Sequence, residues 1–314
     1  MEYTYYDDVT SPSTDIGSAA DLVLVKYSTL NSDGSTWSVS YIHYRYYRDA
    51  DSDGDDHELK AVYRRDGVER ILTAGDTAID TTAELLSKDD SYAVNSGTTV
   101  AEYATRSFTY YDSNLNTDNS VTTPWGSENL KTKYGGLNQD ETRFVKSETI
   151  NAGCVSCGGG GSGAGSKKTY FYTKLSQGGS PPNDEVVYIV IEDTEDGNGG
   201  EIARRIYGLN DDGRMLRIAF IEDPTLSTIK AWCNSIVLDS DYRITERRSP
   251  SAHTVVDTDA EMKKFLDPKA ATNDSDTLNA SDGVIVLYTI NADGNRTETK
   301  VKKGKNGTAY FNGA

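Results

Sequence analysis

Ile206-Tyr207-Gly208-Leu209-Asn210-Asp211-Asp212-Gly213-Arg214-Met215 holds the end of one strand, a turn and the start of the next. A β-branched residue and a tyrosine favour extended backbone, whereas Asn, Asp and Gly accept the positive φ of tight turns, so these ten residues read as a β-hairpin tip. The same order recurs in Leu238-Asp239-Ser240-Asp241-Tyr242-Arg243-Ile244-Thr245-Glu246, where Tyr242 takes the glycine place, and in Tyr288-Thr289-Ile290-Asn291-Ala292-Asp293-Gly294-Asn295-Arg296-Thr297. Shortened versions stand at Tyr5-Tyr6-Asp7, Tyr46-Tyr47-Arg48-Asp49 and Tyr110-Tyr111-Asp112-Ser113. Each unit is one hairpin, whose tyrosine can cover a neighbour and whose arginine can bond turn carboxylates or stack on a ring. A hairpin buries no face alone, so the units must stack.

Outward from these units the fold class is all-β, with antiparallel hairpins and one to three short helices. Strands are expected at Leu22 to Tyr27, Trp37 to Tyr47, Leu59 to Arg64, Arg106 to Tyr111, Arg143 to Ile150 and Lys168 to Lys174. Further strands are expected at Glu185 to Ile191, Glu201 to Tyr207, Arg214 to Ile221, Tyr242 to Arg248, Val284 to Ile290 and Arg296 to Val301. A helix is expected from Asp259 to Leu266, where Thr258 and Glu261 have capping-box spacing and Asp267-Pro268 closes the segment. Shorter helices are read at Ala78 to Leu86 and around Leu226 to Cys233.

The run Gly153-Cys154-Val155-Ser156-Cys157 into Gly158-Gly159-Gly160-Gly161 cannot hold a packed element. It divides the chain into an N-terminal β region (1–152), a Cys/Gly-rich linker or loop (153–166) and a C-terminal β region (167–314).

Charge narrows the function classes. The 314 residues carry 32 basic against 49 acidic side chains, a net −17, which repels nucleic-acid backbones and anionic lipid. No run of about 18 apolar residues is present, so no membrane insertion is expected. The start, Met1-Glu2-Tyr3-Thr4-Tyr5-Tyr6, has neither the basic nor the apolar region of a signal peptide and suits a piece of a longer precursor. Hydrophobic content is only 36%, but 21 tyrosines supply rings to bury with hydroxyls left in water, which suits thin sheet layers.

The Tyr, acidic turn, Gly and Arg order resembles the YD-repeat, or Rhs-type, proteins of bacterial surfaces, loosely over Tyr41 to Phe311 and best over Glu201 to Val301. Gly208 and Leu209 intervene between tyrosine and turn, and the N-terminal units lack the Gly-Arg half. The resemblance implies an extracellular or cell-surface β protein whose repeats build fibres or toxin-enclosing shells and carry no active site; for the fold, the hairpins stack as irregular repeats of this type or as successive sandwich or barrel units.

Candidate chemistry is sparse. Asp49, Asp51, Asp53 and Asp55 alternate around Gly54 as a calcium loop would, but Lys60 stands where a bidentate glutamate belongs. Calcium is therefore the only cofactor considered, and none is required. Cys154 and Cys157 suit a local disulfide or free thiols, with no second pair for zinc. Asn273, Asn279, Asn295 and Asn306 head glycosylation sequons. No nucleophile elbow, zinc-protease helix or phosphate loop occurs, so no enzyme is expected.

Thr4, Tyr5 and Tyr6 at one end and Ala309, Tyr310 and Phe311 at the other are short β segments able to complete the sheet of another copy. Head-to-tail addition does not close, so it makes filaments. The expectation is a non-enzymatic, self-associating structural protein with itself as partner. Its alternatives are a calcium-dependent adhesive or carbohydrate-binding module, with glycans as partners, and a fragment of a toxin-enclosing shell.

Overall fold

The computed structural model describes residues 1–48, 53–111, 120–123, 126–129, 144–150, 165–174, 185–196, 199–224, 230–266 and 278–311. The chain forms two compact units: Met1–Asn114, Gln139–Lys168 and Glu195–Gly200 in the first, Leu115–Asn138, Thr169–Thr194 and Glu201–Ala314 in the second. Both are built of antiparallel strands with short helices, so the fold is all-β.

In the first unit β1 (Glu2–Tyr5), β2 (Leu22–Leu30), β3 (Trp37–Tyr46), β4 (Leu59–Tyr63) and β5 (Arg106–Tyr110) pair in chain order. The hairpin β6 (Ser120–Thr123) and β7 (Gly126–Asn129), which belongs to the second unit, follows in the chain, and β8 (Val145–Ile150) then pairs with β5 of the first. Helices α1 (Arg65–Leu72) and α2 (Thr82–Leu86) bring Val68, Ile71 and Leu85 into one buried cluster with Ala61 and Tyr63. The charged, glycine-containing sequence of α1 hides it from a sequence reading. Gly67 is required there because a Cβ would lie 2.6 Å from the Tyr103 carbonyl oxygen. The helix read at Ala78 to Leu86 is shorter, because Asp76 turns Ala78 and Ile79 out of helical geometry. Thr81 then caps α2, accepting from the Glu84 N–H while Glu84 accepts from the Thr81 N–H at 3.0 Å.

The second unit holds β9 (Lys167–Lys174), β10 (Tyr188–Glu195), β11 (Glu201–Leu209), β12 (Met215–Ile221), β13 (Ala231–Leu238), β14 (Ile244–Arg248), β15 (Val284–Ile290), β16 (Arg296–Lys303) and β17 (Tyr310–Phe311). From β11 to β17 each strand pairs with the next. The helix read around Leu226 to Cys233 is not formed at its described end. Ala231–Leu238 is a strand paired on both edges, with Cys233 and Ser235 alternating into the buried face. Short-period alternation in an aromatic and β-branched segment decides for strand.

Helix α3 (Asp259–Leu266) is capped as its sequence indicates. Thr258 Oγ1 accepts from the Glu261 N–H (3.3 Å) and the Glu261 carboxylate accepts from the Asp257 N–H (3.2 Å). Met262, Phe265 and Leu266 complete a buried cluster with Ile206, Ala219, Ile221 and Cys233. Arg217, only 6% exposed, donates to the Phe265 carbonyl at 2.5 Å and lies 5.5 Å from that ring's centroid. A cation thus meets the negative end of the helix.

Three turns of this unit share one geometry: Asn210–Arg214, Asp239–Arg243 and Asn291–Asn295. In each, the first N–H donates to the fifth carbonyl (2.9, 3.0 and 3.0 Å) and the fourth N–H returns to the first carbonyl (3.0 Å in all three). The fifth N–H donates to the first side chain's Oδ1 (2.8, 2.9 and 2.8 Å). The fourth residue is left-handed, with φ of 75° at Gly213, 61° at Tyr242 and 84° at Gly294, and the strand register shifts beside each turn. This is the three-residue hairpin loop closed by a bulge.

The arginines join these turns laterally. Arg214 lies 4.7 Å over the Tyr242 ring and donates to its carbonyl at 3.1 Å, while Arg243 binds Asp239 and Asp241 and reaches the Asn291 carbonyl at 3.3 Å. Within the last hairpin, Arg296 lies 4.0 Å over Tyr288.

Open space surrounds the Cβ positions of Gly213 and Gly294. Changing either to alanine therefore costs backbone strain alone, about 1 to 2 kcal/mol by the left-handed penalty, and should lower the urea midpoint without altering the circular dichroism spectrum. An unchanged midpoint in both variants would refute the turn's role.

Candidate functional site

Two surfaces stand out, the terminal strand edges and an aromatic groove. At the N-terminal end β1 pairs with β2 in the register Glu2 to Lys26 and Thr4 to Leu24, and the Lys26 ammonium lies 3.0 Å from the Glu2 carboxylate. Tyr5 closes that strand, and Tyr6 leaves it to begin a single 3₁₀ turn, tied by its N–H to the Asp21 carbonyl at 2.8 Å. At the C-terminal end Tyr310 and Phe311 pair with Val301 and Lys300, with Ala309 just outside the strand. Among the described residues each terminal strand is paired along one edge only. Tyr3, Tyr5 and Tyr310 are 55%, 45% and 68% exposed, so aromatic side chains flank both free edges.

The acidic loop serves the fold where it is described; Asp49 and Asp51 lie outside the described residues. The Asp53 carbonyl accepts from the Tyr110 N–H at 2.7 Å, and the Asp55 N–H donates to Glu58 at 2.8 Å. A Cβ on Gly54 would collide with the Tyr47 ring, and Asp56 accepts from the Ser18 hydroxyl at 2.6 Å. Among the described residues no group of three His, Cys, Asp or Glu side chains is arranged to hold a metal ion.

Cys154, Cys157 and Asn273 fall outside the described residues. Cys233 is buried, and that burial pushes its thiol up to about 12, which leaves almost no thiolate for chemistry near neutrality. Asn295 and Asn306 are exposed. The Asn279 side-chain amide instead donates to the Ser251 and His253 carbonyls at 3.0 and 2.8 Å, bonds that a sugar on that nitrogen would disturb.

The groove lies wholly in the second unit and encloses about 1140 Å³. Its apolar wall is Trp232, Ile202 and Val255, exposed by 61%, 49% and 68%. Glu201, Glu222, Asp223 and Lys230 stand around it, with Asn279 and the buried His253 among its remaining lining. Register explains the indole's position: Arg205, Phe220 and Trp232 lie directly opposite one another on three adjacent strands. Arg205 covers Phe220 at 5.4 Å, and among the described residues no cation covers Trp232. Sequence reading misses this surface because its residues come from separate strands and loops.

A buried polar network in the first unit is the other feature missed. Arg45, fully buried, donates to His43 Nε2 (3.0 Å), Asp90 (2.7 Å) and the Lys88 carbonyl (3.0 Å). Lys60 also reaches Asp90 at 2.7 Å. With its Nε2 accepting from Arg45, His43 keeps its proton on Nδ1 and donates to the Val23 carbonyl at 2.8 Å. Burial first, and the Arg45 charge second, pull the imidazole down to about 3. The network holds strands and loops together.

No protein-family model matches the chain, and no curated protein matches it in sequence. The geometry alone therefore bears on function.

His43 sets a pH dependence. Unfolded, the imidazole takes a proton near its ordinary value of about 6.5; folded, it resists protonation down to about 3. As pH falls from about 6.5 toward about 3, the unfolded chain binds more protons and the fold loses stability. Between about pH 7 and pH 5 the wild-type urea midpoint should fall more than that of His43→Gln, which keeps a donor and an acceptor but cannot titrate. Parallel midpoints for the two proteins would remove His43 as the source.

Proposed function

We propose that the chain is a non-enzymatic, self-associating structural β protein of an extracellular or bacterial surface assembly. The observation that carries this reading is the pair of terminal strands, each paired on one edge and flanked by exposed tyrosines. A strand edge presents a row of backbone donors and acceptors, so the β17 edge of one copy can pair with the β1 edge of the next. Such head-to-tail contacts do not close and propagate as a filament. The repeated hairpin turns, with arginine on tyrosine or turn carboxylate, support a YD-repeat-like character for this assembly. A segment of a shell enclosing toxic cargo uses the same stacked hairpins.

Negative-stain electron microscopy tests the reading. The full chain should form regular filaments with and without calcium, and deletion of residues 1–5 or 310–314 should give monomers with an unchanged circular dichroism spectrum. Truncated chains that still polymerise would sink the edge mechanism. Dispersed particles of the full chain that bind a cell surface only in calcium would favour the calcium-dependent adhesive instead.

A further inference from the structure

We infer that the Trp232 groove binds a cationic side chain, an arginine or lysine presented on an extended peptide segment of a partner protein. Three features choose this occupant. Glu222 and Asp223 line the groove with Lys230, and Glu201 lines it while paired with the Arg204 guanidinium at 2.9 Å, so carboxylates outnumber the one lining ammonium and the rim selects against anions. Trp232 offers the aromatic face on which a guanidinium or ammonium is held best, and it stands 61% exposed. Ile202 and Val255 give apolar surface for the methylene stem that carries such a charge. The protein makes the same contact internally one strand away, where Arg205 lies 5.4 Å over Phe220, the direct cross-strand neighbour of Trp232. The groove is therefore a recognition site separate from the terminal edges, and its occupation does not depend on filament formation.

The test uses the full chain with Trp37→Phe and Trp125→Phe, which leaves Trp232 as the only indole. The probe is acetyl-triarginine amide, read by tryptophan emission. A saturable change is expected, with a dissociation constant that rises severalfold between about 50 and about 300 mM NaCl as screening grows. Glu222→Gln with Asp223→Asn should weaken binding about tenfold, the scale of one lost charge contact. Asp66→Asn with Asp293→Asn, which removes the same charge elsewhere, should leave the constant unchanged. An emission that never saturates, or equal losses from both acidic pairs, would reduce the effect to general attraction by an acidic protein and overturn the inference. So would saturation by a neutral oligosaccharide such as chitotetraose where triarginine has no effect, which would assign the groove to glycans.

Discussion

The five-residue turn is the constraint on which the second unit depends. Its first residue must carry a side-chain acceptor for the fifth N–H, and its fourth must enter the left-handed region, as Gly213, Tyr242 and Gly294 do. Together these fix the bulge, hence the register, hence which side chains face α3. A slip of one residue would turn Ala219 and Ile221 away from Phe265 and bring Phe220 and Ile218 in their place. Tyr242 shows that the conformation outranks the residue type. A non-glycine is held at φ 61°, with Arg214 resting on its ring and bonded to its carbonyl.

Buried arginines play a parallel part in both units. Arg45 ties Lys88 and Asp90 to strand β3, and Arg217 ties the C-terminal end of α3 to strand β12. Burying a guanidinium is costly unless its donors are met, so each fixes the one segment that offers acceptors in the right place. Apolar contact supplies the drive to cover the sheets. These polar contacts specify where the covering elements sit.

The hairpins were legible because turn chemistry is local: Asn210 to Arg214 and Asn291 to Asn295 state their conformation within five residues. Capping is local too, which is why α3 could be read from Thr258 and Glu261. Helix α1 escaped because its Gly67 answers to Tyr103, 36 positions away in the chain. Strand β13 was mistaken for helix at its start because its period only declares itself against β12 and β14. The terminal segments were visible as β sequence, although Tyr6 belongs to a turn. The groove was invisible because Ile202, Trp232 and Val255 meet only once three pieces of chain have been folded together.

The chain-order pairing from β11 to β17 bears on how the molecule is made. Where a strand's partner is the strand just synthesised, docking it closes only the loop between them, and loop-closure entropy grows slowly with that length. The hairpins tipped by Asn210, Asp239 and Asn291 close through three residues each, whereas the step from β14 to β15 must wait for the long segment that contains α3. A ribosome can thus deliver β11 to β17 largely one hairpin at a time, with the longest loop to close between β14 and β15.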